Sequence, residues 1–218
     1  MTTIDDALPP EGVLDAALER LSEQHPDLPL PHHQFPPPHE AGFVDRFDEM
    51  VDSWFDRLRG TEPADRIIYA VTELGDFGLI WVLLAWMRGL RSERDAVAAM
   101  RITGALVAES LIVNGVVKNL FKRERPVVQE ERPHRLRIPL TTSFPSGHSS
   151  TAMLAGILLA QRSSRPTKVA IFGLGGLVAA SRVHVRIHHA SDVVAGLALG
   201  LGLGAVARAV FPAHPRRR

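Results

Sequence analysis

The fold turns on Val193-Val-Ala-Gly-Leu-Ala-Leu-Gly-Leu-Gly-Leu-Gly-Ala-Val-Ala207, fifteen residues without one charged or hydrogen-bonding side chain. A helix on the surface of a water-soluble protein carries a polar face, and this stretch has none. It therefore reads as a helix buried on all sides or immersed in lipid. Working outward, four more apolar segments approach the ~20 residues that a membrane-spanning helix needs: about 67–87, 100–121, 147–161 and 167–183, with the last running over 189–211. The rest of the chain holds too little polar surface to cover five such helices as a soluble core. The expected fold class is all-α, a polytopic transmembrane helix bundle of about five spans.

Whole-chain averages hide this. The 218 residues carry a net charge of +1, but residues 1–65 hold fifteen acids and four arginines, while the remainder holds nine acids against twenty-one Lys and Arg. Nine of the sixteen prolines also fall in the first 65 residues. Four parts follow: an acidic, Pro-rich, partly disordered arm over 1–42, an amphipathic helix and connection over 43–65, a membrane domain over 66–212 and a basic tail over 213–218. The first ten residues lack the basic start and apolar stretch of an export signal. His32, His33 and His39 lie in a Pro-rich linker with no surrounding ligand framework, so they read as solvated. The absence of cysteine excludes disulfides, Cys-ligated zinc and thiol catalysis.

Phe43, Phe47, Met50, Val51, Trp54, Phe55 and Leu58 recur at spacings of three and four, the stripe of an amphipathic helix, and the other face is charged. Such a helix lies at a membrane surface or packs sideways on the bundle. Its acidic polar face favours packing. Glu109, Glu73 and Asp76 fall within the apolar segments, where an internal hydrogen-bonding role is expected.

Three polar stretches punctuate the spans. Lys118-Asn-Leu-Phe-Lys-Arg-Glu-Arg125-Pro126 closes the second, Pro145-Ser146-Gly147-His148 opens the third, and Ser181-Arg182-Val-His-Val-Arg-Ile-His188-His-Ala-Ser-Asp192 joins the fourth to the fifth. In an up-and-down bundle all three reach the same membrane face. Lys118, Arg125 and Arg182 suit a multiply charged oxyanion, and arginine can hold phosphate bidentately. Ser146 and Gly147 at a helix start offer a hydroxyl and backbone N–H donors to an anion. Asp192, four residues after His188, is spaced to orient its imidazole, and His148 is a second acid–base group. The row Asp192, Gly196, Gly200, Gly204 predicts a close helix–helix seam.

These three motifs, Lys-x6-Arg-Pro, Pro-Ser-Gly-His and Ser-Arg-x5-His-x3-Asp, resemble those of the type 2 phosphatidic acid phosphatase superfamily, which includes lipid phosphate phosphatases and vanadium haloperoxidases. The resemblance implies that His188 attacks phosphorus to form a phosphohistidine with help from Asp192. His148 would protonate the leaving oxygen and then activate water, while Lys118, Arg125, Ser146, Gly147 and Arg182 hold the phosphoryl oxygens. It implies no metal and no cofactor. His184 and His189 fall outside the pattern and are treated as bystanders.

The expected function is a membrane lipid-phosphate phosphatase acting on a polyprenyl diphosphate, phosphatidic acid, phosphatidylglycerol phosphate or a prenyl-linked sugar phosphate, with no nucleic-acid partner. A vanadate-dependent haloperoxidase and a non-catalytic lipid-binding or transport protein are the rivals. An excess of Lys and Arg at the opposite ends of the spans places the catalytic face outside the cytoplasm, in the cell membrane. Lys122, Arg123, Arg132, Arg135 and Arg137 are expected to serve a larger anionic head group.

Overall fold

A computed structural model describes residues 42–127, 134 and 136–212. The acidic arm, the basic tail, Arg132 and Arg135 lie outside the described residues. Those described form seven helices and no strand: α1 (Phe43–Asp56), α2 (Glu62–Leu74), α3 (Leu79–Gly89), α4 (Glu93–Leu120), α5 (Gly147–Leu159), α6 (Arg165–His184) and α7 (Ala190–Val210). Serine hydroxyls start three of them. Ser92, Ser146 and Ser164 accept from the backbone N–H three residues on, which satisfies a donor that the first turn leaves free. Near its end α4 widens into a π turn over Val113–Val117 before finishing at Lys118–Leu120.

By length and composition α4 and α7 can each cross a membrane, and α2 with α3 form one further span if the two count together. This corrects the first expected span, 67–87. It is not one straight helix but two, bent by 57° at a break of a few residues. Between them Asp76–Gly78 forms a single 3₁₀ turn with Phe77 at φ +55° and Gly78 at φ +67°. Both φ values are left-handed, a conformation that glycine adopts freely and phenylalanine does not. Gly75 is required for a different reason. A Cβ there would stand 2.9 Å from Val178 and 3.1 Å from His148.

Helix α5, thirteen residues long, is the hub. It packs against α4, α6 and α7, and most of its residues are buried. Shielded from lipid by its neighbours, it tolerates Ser149, Ser150 and Thr151 in its first turns. The glycine row of α7 faces it as expected: a Cβ on Gly196 or Gly200 would approach the carbonyl oxygen of Ser146 or Ser150 to 2.3 Å. Trp81, Ala85, Leu106, Leu154, Ala155 and Val178 fill the core. Leu83, Met87, Met100, Val107, Leu111, Val169, Leu201 and Val206 stay exposed, an outward belt that a bilayer accounts for.

Helix α1 packs sideways on the bundle, the arrangement its acidic polar face favours. Phe47, Val51 and Phe55 pack against Ala179, Val183, Ala190 and Val193 at the end of the bundle where α6 stops and α7 starts. Phe43, Met50 and Trp54 remain exposed. Arg59, just after α1, pins it by donating to the carbonyl oxygens of Val183 and His184.

Candidate active site

The end of α4, the start of α5, the end of α6 and the start of α7 meet at one end of the bundle, as alternating directions require. Beside them lies a cavity of about 540 Å³ whose wall includes Lys118 of α4, Gly147 and His148 of α5, His188 from the α6–α7 connection and Asp76, while Arg182 and Asp192 stand behind that wall. From there the cavity runs past Gly78 of the turn and Val82 of α3 to Thr103, Leu106, Val107 and Leu111 of α4, so an apolar flank leads to the polar end.

His188 sits in the connection between α6 and α7, and the backbone N–H groups of Ile187 and His188 both donate to the Arg182 carbonyl oxygen. Its imidazole is buried, which pushes its pKa down to about 3, so it is neutral at physiological pH. Nε2 lies 3.4 Å from Arg125 Nη1. Arg125 is held by the carbonyl oxygens of Thr141, Thr142 and Ile187. The Lys118 ammonium donates to Thr141 Oγ1 at 3.1 Å, and Arg182, fully buried, donates to Thr72 Oγ1.

The link to Asp192 corrects the expected geometry. His188 precedes α7 rather than standing on it, and Nδ1 lies 3.7 Å from Asp192 Oδ2, beyond hydrogen-bond range. Ser143 occupies the gap. Its hydroxyl donates to Asp192 Oδ2 at 2.6 Å and lies 3.4 Å from His188 Nδ1, so its oxygen faces the imidazole as an acceptor. Asp192 Oδ2 also accepts from the His189 N–H at 2.9 Å. Ser143 carries no motif of its own; its place three residues before Ser146 was the only available signal.

His148 has as partner a carboxylate for which the sequence predicts only an internal hydrogen-bonding role. Its Nε2 lies 2.7 Å from Asp76 Oδ1, and the turn Asp76–Gly78 delivers that carboxylate. Glu109 instead accepts from Thr151 Oγ1 at 2.9 Å, the internal bond expected of it. Ser146 is buried and spends its Oγ on the first turn of α5, 2.9 Å from Ser149 Oγ, whereas Gly147 reaches the cavity wall. His184 pairs with Asp65 at 2.7 Å away from the cavity. Arg137 lines the cavity, with its guanidinium 4.4 Å over the Phe77 ring. Arg123, expected to serve a head group, does not line this cavity and is paired with Asp48 and Asp192. Among the described residues no group of three or more His, Asp or Glu could hold a metal.

The model of the PAP2 superfamily matches residues 98–216, more than half the chain and all three motifs. The chain belongs to the PAP2 superfamily. Within it, the chain is 29% identical over 156 residues to the decaprenylphosphoryl-5-phosphoribose phosphatase of Mycobacterium tuberculosis, covering 68% of this chain and 81% of that one. It is 28% identical over 142 residues to the undecaprenyl-diphosphatase BcrC of Bacillus subtilis, covering 64% and 71%. The fold resembles a transmembrane PAP2-type phosphatidylglycerolphosphate phosphatase of Bacillus subtilis, with TM-score 0.59, 18% identity and coverage of 94% of this chain and 97% of that one. It also resembles LpxE of Aquifex aeolicus, with TM-score 0.60, 20% identity and coverage of 79% and 98%. This PAP2 protein is an integral membrane protein.

Proposed function

We propose that the protein is a membrane phosphatase that removes the terminal phosphate of a polyprenyl-linked phosphate, either a polyprenyl diphosphate or a phosphorylated sugar on a polyprenyl phosphate. One observation carries the reading. A neutral, buried His188 and a carboxylate-paired His148 share the wall of one cavity, and the apolar flank of that cavity reaches the lipid-facing residues Val107 and Leu111. A phosphate head can enter the polar end while its tail stays in the bilayer. The names of the similar phosphatases favour polyprenyl carriers over glycerolipids.

His188 Nε2 attacks phosphorus, and the bond to the leaving oxygen breaks. Nδ1 keeps its proton, facing Ser143 and through it Asp192, which stabilises the cationic phosphohistidine. His148, as an imidazolium whose Nε2–H is held by Asp76, gives its Nδ1 proton to the leaving oxygen and then takes one from the water that hydrolyses the intermediate. Lys118, Arg125, Arg182 and the Gly147 N–H balance the charge on the equatorial oxygens, so fixed cations do what a metal would do elsewhere. Arg137 extends the positive lining toward a second phosphate or a sugar phosphate.

The test is phosphate release in detergent from decaprenylphosphoryl-5-phosphoribose, undecaprenyl diphosphate, phosphatidic acid and phosphatidylglycerol phosphate, with and without a chelator. Turnover of a polyprenyl substrate that survives chelation and vanishes in His188→Ala is expected. Turnover of phosphatidic acid alone overturns the substrate class, and equal release by His188→Ala overturns the reaction.

We place the site on the outer face of the cell membrane. Arg88, Arg91, Arg94, Arg162, Arg165, Lys168 and Arg208 cluster at the opposite end, and basic ends favour the cytoplasm. The natural absence of cysteine makes this easy to check. Lys122→Cys should react with an impermeant maleimide in intact cells and Arg162→Cys should not; the reverse pattern inverts the assignment.

A further inference from the structure

The carboxylate that backs the nucleophile is itself held from behind by a buried charge network that reaches the amphipathic helix. Arg123 Nη1 donates to Asp192 Oδ1 at 2.7 Å, and Arg123 Nη2 donates to Asp48 Oδ2 at 2.6 Å. Asp48 is the one fully buried carboxylate of α1, and it also accepts from Ser191, from the N–H at 2.7 Å and from the hydroxyl at 2.7 Å. Ser191 adjoins Asp192 and accepts from Arg123 Nη1 at 2.6 Å. Asp48, Arg123, Ser191 and Asp192 thus close a ring of charge-assisted bonds across three segments: α1, the stretch after α4 and the first turn of α7. Asp192 and Asp48 side chains have no solvent exposure, so the ring cannot be replaced by water without a rearrangement of α1.

The bonds divide by oxygen. Oδ1 of Asp192 is committed to Arg123, whereas Oδ2 receives Ser143 and the His189 N–H and faces His188. Fixing one carboxylate oxygen fixes the plane of the other. Without Arg123, Asp192 can rotate, and Ser143 and His188 lose their reference. Phosphoryl binding would not suffer, because Lys118, Arg125 and Arg182 belong to a separate set of bonds.

We infer that Arg123 is a positioning residue for the nucleophile and that Asp48 makes helix α1 a working part of the catalytic site rather than a peripheral decoration. The inference rests on the proposed reading in which Asp192 orients His188. It assigns Arg123 a different task from head-group recognition, and it gives the acidic segment before the membrane domain a catalytic reason to dock.

The experiment measures kcat and KM on farnesyl diphosphate, the rate of phosphoenzyme formation by rapid quench, and thermal unfolding in detergent. It compares the wild type with Arg123→Gln, Arg123→Lys, Asp48→Asn, the Arg123→Gln/Asp48→Asn double variant and His188→Ala. Arg123→Gln should lower kcat and phosphoenzyme formation by about tenfold or more with KM within about twofold, the signature of a lost transition-state effect. Arg123→Lys should recover part of the rate. Asp48→Asn should cost about three- to tenfold, and the double variant should be no slower than Arg123→Gln alone, because Asp48 acts through Arg123. Unchanged kcat in the folded single variants, a loss confined to KM, or multiplicative effects in the double variant each overturn the inference. Should Arg123→Gln fail to fold, Arg123→Lys and Asp48→Asn decide on the same criteria. A wild type no more active than His188→Ala sinks the phosphatase reading; an active wild type with an equally active Arg123→Gln sinks only this one.

Discussion

The two walls of the cavity each present a histidine with a carboxylate behind it, built in opposite ways. On the α7 side, His188 and Asp192 are four residues apart, yet their atoms stop at 3.7 Å and Ser143 stands between them. On the α3–α5 side, His148 and Asp76 are 72 residues apart and meet at 2.7 Å. The pair that sequence spacing advertises is the looser one, and the tighter one is invisible to spacing. The difference suits the two jobs proposed for these histidines. A nucleophile needs its far nitrogen oriented while its near nitrogen stays open to substrate, and bonds through Ser143 leave His188 that freedom. An acid–base group needs a close partner to set the direction of its proton.

The largest effect should come from the α7 wall. His188→Ala is expected to reduce phosphate release by about 10⁴-fold or more and to abolish the acid-labile phosphoenzyme, since without the nucleophile only binding and charge stabilisation remain. A variant that still forms a phosphoenzyme would move the nucleophile elsewhere.

On the opposite wall, His148→Asn should cost about 10²- to 10⁴-fold in kcat, the usual range for a general acid. The loss should shrink for a p-nitrophenyl ester, whose leaving group needs little protonation. Asp76→Asn should follow the same pattern with a smaller loss, about tenfold. Equal losses on both substrates would reduce the His148–Asp76 pair to a structural contact.

The packing that brings the walls together can be broken separately. Gly196→Leu inserts a side chain where a single Cβ already meets the Ser146 carbonyl oxygen at 2.3 Å. Overpacking of this kind costs about 1–3 kcal/mol. A lower unfolding temperature together with lost activity is expected, and wild-type stability would mean that α5 and α7 stand further apart.

The pH dependence sharpens the contrast further. Burial depresses His188 from its ordinary 6.5 to about 3, so it stays neutral in the folded protein while the unfolded chain takes up a proton below about pH 6.5. The unfolded state then binds more protons, and stability falls as the pH drops from about 6.5 toward 3. His188→Gln should flatten that part of the curve of unfolding temperature against pH; an unaltered slope would assign it to other groups. Smallest of all, Arg137→Glu should raise KM for a diphosphate lipid several-fold with kcat nearly unchanged, because Arg137 lines the cavity over Phe77 as a binding cation and has no part in the proposed bond-making steps.

The bundle was legible from the sequence because lipid imposes a coarse rule: long apolar runs must be helical and must cross or be buried. The segment 193–207 and the glycines at 196, 200 and 204 obey it, and α7 packs on α5 along that row. The three motifs were legible because motif spacing is local and alternating spans return all of them to one face. The break at Asp76–Gly78 was not, since two helices joined by one turn leave the same hydropathy trace as one straight span. With it went Asp76, whose carboxylate looked like an ordinary polar intrusion until the bend aimed it at His148.

The sequence by itself determined a helical membrane bundle, its family and the cluster of residues at its polar end, because apolar length, small-residue periodicity and motif spacing are properties of neighbouring residues. Only the tertiary structure decided the partners. Asp76 for His148, Ser143 between His188 and Asp192, and Asp48 with Arg123 behind Asp192 join segments from 45 to 75 residues apart. Such pairs are set by how helices bend and dock, and a buried charge takes whatever partner that geometry brings within 3 Å.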